Sequence, residues 1–146
     1  MRKILVICAG NICRSPAGEG ILRAELTKAG FEDDKDFFID SAGTGAWHAG
    51  QAPDERSQAV CRAHGIDISS YRARALEPAD GEIFDELLVM DSANLQDVKA
   101  IIQPEHHHKI AYFDPSAPVP DPYYGGPEGL EKMFEQLSKA AVCLAQ

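Results

Sequence analysis

Residues 4–20 constrain this chain more than any other stretch: Ile-Leu-Val-Ile-Cys-Ala-Gly-Asn-Ile-Cys-Arg-Ser-Pro-Ala-Gly-Glu-Gly. The continuous apolar run Ile4 to Ile7 predicts a buried strand. It breaks at Cys8, passes through Gly10 and Asn11, and restarts as a helix, with Ser15 expected as N-cap and Pro16 pre-set for the first helical position. A strand, a tight glycine-containing loop and a helix N-terminus aim backbone N–H groups and the positive helix end at one point, which makes an anion cradle.

Cys8 opens that cradle and Arg14 closes it, in the pattern Cys-x5-Arg-Ser. N–H dipoles, a helix N-terminus and an arginine together favour the thiolate over the thiol. A guanidinium offers a planar fork for two phosphate oxygens. A thiolate and a phosphate clamp around one oxyanion site describe a nucleophile for phosphoryl transfer. The rest of the loop, Ala9, Gly10, Asn11, Ile12, Cys13 and Ser15, is expected to bind the phosphate.

At 146 residues the chain fits one domain, 1–146, large enough to bury a core. A net charge of −9 argues against nucleic acid and anionic membrane as partners. An anionic substrate would be drawn in by the loop rather than steered by the whole molecule. Met1-Arg2-Lys3 and the apolar run after it are too short for a signal peptide, and no stretch is long enough to span a membrane. Two of the four cysteines share one loop, so a cytoplasmic, reduced protein is expected rather than a disulfide-stapled one.

Periodicity predicts strands at 4–7, 37–40, 86–90 and 110–113 and helices at 16–29, 54–65, 92–103 and about 130–144, with a helical turn at 78–83. Expected inward residues are Leu22, Leu26 and Ala29 on the first helix, Ala59, Val60 and Ala63 on the second, and Leu95, Val98 and Ile102 on the one capped by Ser92. On the last they are Leu130, Met133, Phe134, Leu137, Ala141 and Leu144. Cys61 and Cys143 are expected to pack. Alternating strands and helices give an α/β fold, a single-domain three-layer sandwich with a four-stranded parallel sheet between helices and the phosphate loop between first strand and first helix. Ligands bind such sheets at the carboxyl ends of strands.

Attack by Cys8 requires a proton donor for the departing oxygen, and the loop holds no carboxylic acid. Asp114 and Asp121 each precede a proline in the late loop, and Asp121 is followed by Tyr123 and Tyr124, an apolar wall that favours the protonated carboxyl. Asp121 is the stronger candidate and Asp114 the alternative. With Asp121 as acid, kcat/KM should pass through a mildly acidic maximum. Trp47, Tyr123 and Tyr124 are candidate walls of a deep slot for a substrate ring, too deep for a phosphoserine arm. The run His106-His107-His108 lacks a carboxylate or cysteine at ligand spacing and reads as a solvated connection, so no metal is expected.

The stretch around Cys8 resembles the N-terminal signature of the low-molecular-weight protein tyrosine phosphatase family, V-x-x-C-x-G-N-I-C-R-S-P. Asp40 to Thr44, His64 to Ile66, Met90 to Asn94 and Asp121 to Gly125 match further landmarks in order, so the resemblance spans nearly the whole chain. It implies hydrolysis of protein phosphotyrosine and small aryl phosphates through a phosphocysteine on Cys8, with Arg14 as clamp, Asp121 as acid then base, and no cofactor. It implies that Asn11, Ser41 and His64 hold the loop and that Asp91 is structural; Ser15 could donate to the thiolate. Cys13 beside the nucleophile suggests redox sensitivity through a reversible disulfide. Implied partners are phosphotyrosine proteins in signalling, an autophosphorylating tyrosine kinase among them, with the chain a monomer or weak dimer.

Three rivals remain. An arsenate reductase on the same fold would need a relay pair that Cys61 and Cys143 do not form in sequence. A protein arginine phosphatase has threonine where Ile12 stands. A phosphotyrosine-binding module would be expected to lack the nucleophile or the acid.

Overall fold

The computed structural model describes residues 1–123 and 125–146. Four strands, β1 (Arg2–Cys8), β2 (Phe37–Gly43), β3 (Glu86–Val89) and β4 (Ile110–Tyr112), form one parallel sheet in the order β2-β1-β3-β4. Five helices connect or follow them: α1 (Arg14–Lys28), α2 (Glu55–Ala63), α3 (Asp80–Ile83), α4 (Ser92–Ile101) and α5 (Pro127–Leu144). This is the expected three-layer architecture.

The layers follow from strand alternation. Ile4, Val6 and Cys8 of β1, with Phe37, Ile39 and Leu88, face the layer built by α1, α2 and α5. Leu5 and Ile7, with Ala42, Leu87 and Val89, face the opposite layer, where Val98 and Ile102 pack. Both faces of β1 are covered, which is why its sequence is a continuous apolar run. The chain leaves β1 for β2 on one side, then returns past β1 to β3 on the other. That reversal opens a crevice at the carboxyl ends of β1 and β3, where Cys8 and Asp91 stand.

Several local expectations change. Helix α1 begins at Arg14, with Cys13 at the N-cap and no side-chain cap bond, because the Ser15 hydroxyl is engaged below the loop. Asp91, not Ser92, caps α4, accepting from the Asn94 amide at 2.8 Å. The buried face of α2 is Ser57, Val60 and Cys61, while Ala59 and Ala63 are exposed; the two alanines are too small to decide the face against Val60. Ala29, past the end of α1, and Cys143 on α5 are also exposed. His106 to His108 lie in a 3-10 segment, Pro104–Lys109, where His106 and His107 are half-buried and the His107 ring contacts the Ile102 carbonyl at 2.8 Å. Among the described residues no helix is long and apolar enough to cross a membrane, and no cluster of His, Cys, Asp or Glu is arranged as a metal site.

Candidate active site

The Cys8–Arg14 loop is braced from three sides. Beyond β2 the backbone amides of Thr44 and Gly45 donate to the Cys8 and Ala9 carbonyls at 2.9 and 3.1 Å. This requires Gly43, where an added Cβ would stand 2.8 Å from the Ala9 carbonyl oxygen. From α2, the Asp54 amide donates to the Ile12 carbonyl at 2.7 Å, and the Ser57 hydroxyl donates to the Cys13 carbonyl at 3.0 Å.

Asn11 is the third brace and sits beneath the loop. Its backbone is in the left-handed region, φ 57°, which Asn tolerates better than most residues. Its buried amide donates to Ser15 Oγ at 2.7 Å and Ser41 Oγ at 3.0 Å, and its oxygen accepts from the Arg74 amide at 2.9 Å. Ser15 Oγ lies 3.1 Å from Cys8 Sγ. Because Ser15 already accepts from Asn11, its own proton is available to the sulfur. The Asn11 amide N–H also points to Cys8 Sγ at 3.3 Å. Two donors thus converge on a nearly buried sulfur, an arrangement that stabilises negative charge there.

Arg14 is 2% exposed. Its Nη1 donates to Asp91 Oδ2 at 2.6 Å and to the Val119 carbonyl at 2.9 Å, while Nη2 faces Asp121 Oδ2 at 3.7 Å. One edge of the guanidinium is therefore anchored and the other turned to the site. Burial opposes ionisation of Asp91, yet the Arg14 guanidinium and the Asn94 amide hold its carboxyl below the usual carboxylate range. Burial, with Asp54 and Cys8 adding negative charge, pushes the Cys13 thiol up to about 12. Cys13 is therefore a neutral thiol.

Cys8, Ala9, Gly10, Ile12, Cys13 and Arg14 line a cavity of about 310 Å³ together with Trp47, His48, Asp121 and Tyr123. Asn11 and Ser15, expected to bind phosphate, lie beneath this lining. Trp47 is 70% exposed, and its indole lies over Gly45, where a Cβ would be 2.1 Å from the ring. Asp121 stands half-exposed and accepts from the Tyr123 amide at 3.0 Å. Asp114 lines a different pocket with Ser92 and Tyr112, apart from the Cys8 cavity; burial opposes its ionisation but Ser116 and Gln136 outweigh it, holding its carboxyl below the usual range. Tyr124 lies outside the described residues.

His64 departs from the expectation. It is the exposed C-cap of α2, stacked on Phe134 of α5 with ring centroids 4.1 Å apart and 3.8 Å from Glu131. The far end of α2, at Asp54, is the one that meets the loop, so His64 does not hold it. The partner missed in the sequence is Arg74, whose amide takes the remaining capacity of Asn11 and whose guanidinium pairs with Asp40 and Asp80. His48 was missed as well: it has no local motif, and only the 47–51 turn carries it over Gly10.

Residues 3–146 match the family model described as low molecular weight phosphotyrosine protein phosphatase. The chain is 40% identical to a Schizosaccharomyces pombe protein of that name over 92% of this chain and 89% of the relative. A protein tyrosine phosphatase from Entamoeba histolytica with Hepes in its active site superposes with a TM-score of 0.93 at 31% identity, over 99% of this chain and 94% of that one. Vibrio vulnificus Wzb in complex with benzylphosphonate superposes at 0.88 and 29% identity, over 99% and 97%. A match along the whole chain, with the Cys8 loop at the crevice of the same fold, settles the assignment: this chain belongs to the low molecular weight phosphotyrosine protein phosphatase family and is an enzyme of the protein-tyrosine-phosphatase type.

Proposed function

We propose that the chain hydrolyses phosphotyrosine through a phosphocysteine intermediate on Cys8. The observation that carries this reading is the convergence of Ser15 and the Asn11 amide on Cys8 Sγ in a cavity that Arg14 and Asp121 also line. The thiolate attacks phosphorus in line with the aryl oxygen. The free edge of Arg14 and the amides of the loop hold the equatorial oxygens as charge shifts toward the departing group. Asp121, on the cavity wall beside Arg14, gives its proton to that oxygen. The tyrosine leaves, Asp121 is ionised, and it then takes a proton from the water that attacks the phosphocysteine, releasing phosphate and free Cys8.

Substrate class follows from the walls. Trp47 and Tyr123 flank the route to Cys8, so an aromatic ring gains stacking contact on its way to the loop. The Wzb structure with benzylphosphonate, a phosphonate carrying a phenyl ring on a methylene, concerns a relative with the same fold and is in keeping with this choice. We place the enzyme in phosphotyrosine signalling, acting on phosphotyrosine-bearing proteins.

The test is turnover of p-nitrophenyl phosphate and of a phosphotyrosine peptide, with EDTA present, by wild type and by Cys8→Ser and Asp121→Asn. Wild type should turn over both, Cys8→Ser neither. Asp121→Asn should lose about 10²- to 10⁴-fold on the peptide, the usual worth of a proton donor. Hydrolysis that survives Cys8→Ser would overturn the mechanism.

A further inference from the structure

Arg56 lies on the first turn of α2, outside the residues that line the Cys8 cavity, and no step above uses it. Its guanidinium is gripped on one side by Asp54, with Nε 3.1 Å from Oδ1 and Nη2 3.2 Å from Oδ2. Asp54 is itself fixed. Its carboxylate caps α2 by accepting from the Arg56 amide at 2.8 Å, and its own amide is bonded to the Ile12 carbonyl in the Cys8 loop. The other side of the guanidinium reaches across to the segment that carries Asp121. Nη2 donates to the Tyr123 carbonyl at 2.6 Å and Nη1 to the Gly125 carbonyl at 3.2 Å, with the guanidinium 5.8 Å from the Tyr123 ring centre.

This chain of contacts has a direction. It starts at Ile12 in the phosphate loop, passes through Asp54 and Arg56, and ends on the backbone two residues beyond Asp121. The Asp121 carboxylate is tied to the same place, since Oδ1 accepts from the Tyr123 amide at 3.0 Å. Moving the Tyr123 backbone therefore moves the carboxylate. Among the described residues Asp121 has little else to hold it: its side chain is 47% exposed, and the Arg14 contact at 3.7 Å is longer than a hydrogen bond. A planar fork bonding a carboxylate with one edge and two carbonyls with the other is a task for arginine, which a lysine point charge performs only in part.

We propose that Arg56, oriented by Asp54, is a positioning residue for the general acid, registering Asp121 against the Cys8 loop; this rests on the reading of Asp121 as the acid. Arg56 touches no reacting atom. Its removal leaves the nucleophile, the clamp and the Trp47 wall intact, releases the Tyr123 backbone and lets the carboxyl drift from the departing oxygen.

Leaving-group dependence separates this role from a structural one. Phenolate needs protonation to depart, whereas 2,4-dinitrophenolate leaves unaided. Small misplacements of a catalytic group cost up to about 100-fold, so Arg56→Gln should lower kcat/KM for phenyl phosphate by about 10- to 30-fold. For 2,4-dinitrophenyl phosphate the loss should stay within about threefold, since little proton transfer is needed there. Arg56→Lys, able to reach one carbonyl, should fall between. In an Asp121→Asn background the Arg56→Gln effect on phenyl phosphate should vanish, because the two substitutions remove the same contribution.

Equal losses on both substrates, persistence of the effect in the Asp121→Asn background, or wild-type rates for Arg56→Gln would each overturn the role of Arg56. If Asp121→Asn alone fails to steepen the leaving-group dependence, the acid assignment falls and this role falls with it. That result is distinct from a failure confined to Arg56.

Discussion

Replacing Asn11 should expose how much of the catalytic loop depends on one side chain. Asn11→Ala removes three hydrogen bonds, to Ser15, Ser41 and the Arg74 amide, at a residue 3% exposed. The half-buried Arg74 amide then lacks its acceptor, and leaving a shielded donor unpaired costs about 1–3 kcal/mol. The bonds to the two serine hydroxyls are worth about 1 kcal/mol each, since both serines keep other partners or can rotate. Alanine at φ 57° costs about 1 kcal/mol more than asparagine, which tolerates that region. The sum is about 4–6 kcal/mol of stability, read by urea unfolding followed by tryptophan fluorescence. Asn11→Gly keeps the backbone freedom but not the bonds, and should recover about 1 kcal/mol of the loss. Both variants should lose about 100-fold or more in kcat/KM, because Ser15 no longer has its proton directed at Cys8 and the loop amides lose their register. A stability loss under about 1 kcal/mol with kcat/KM within about threefold of wild type would refute the idea that Asn11 holds the loop.

Other perturbations follow from single observations. Burial, opposed by hydrogen bonds from Ser41 and Arg23, raises the Glu19 carboxyl from 4.5 to about 7. An acid raised in the folded state contributes stability below its unfolded value that is lost as pH climbs through the folded one, so stability should fall by up to about 3 kcal/mol between pH 4.5 and pH 8. Urea titrations at several pH values read this, and Glu19→Gln should flatten the curve; a wild-type curve already flat across that window would contradict it. Asp91 has two duties, and Asp91→Asn separates them. Asparagine caps α4 as well, so stability should change by no more than about 1 kcal/mol. The charge-assisted bond to Arg14 is lost, and kcat/KM should fall about tenfold. Gly43→Ala should behave oppositely to a surface change, displacing the loop through a Cβ set 2.8 Å from the Ala9 oxygen and costing about 1–3 kcal/mol by denaturant unfolding.

The four-strand parallel sheet and the position of Cys8 were legible in the sequence because β1 is covered on both faces and reads as an unbroken apolar run. Helix starts were less so. Ser15 and Ser92 are good N-caps by residue type, but Ser15 is drawn to Cys8 and Asn11, and Asp91 one residue earlier takes the cap of α4. At the site, Cys8, Arg14 and Asp121 carried their chemistry in short motifs. Arg74, His48 and Arg56 did not, because each acts through a partner 38 to 69 residues distant or through a turn that only the folded chain defines. His64 shows the converse: a histidine in the right stretch of sequence, placed by α2 at the end that faces α5 rather than the loop. Position along a helix decides which neighbour a side chain meets, and a motif alone does not specify it.

The most direct test of the central claim is to look for the phosphoryl group on the enzyme. Asp121→Asn, slowed in hydrolysis of the intermediate, is mixed with p-nitrophenyl phosphate, quenched in acid within milliseconds and digested, and the fragments are weighed. The geometry at Cys8 predicts one added phosphoryl group on the peptide that contains it, absent when Cys8 is serine. Release of p-nitrophenol with no modified Cys8 peptide, or with the phosphoryl group on another residue, would contradict nucleophilic catalysis by this cysteine.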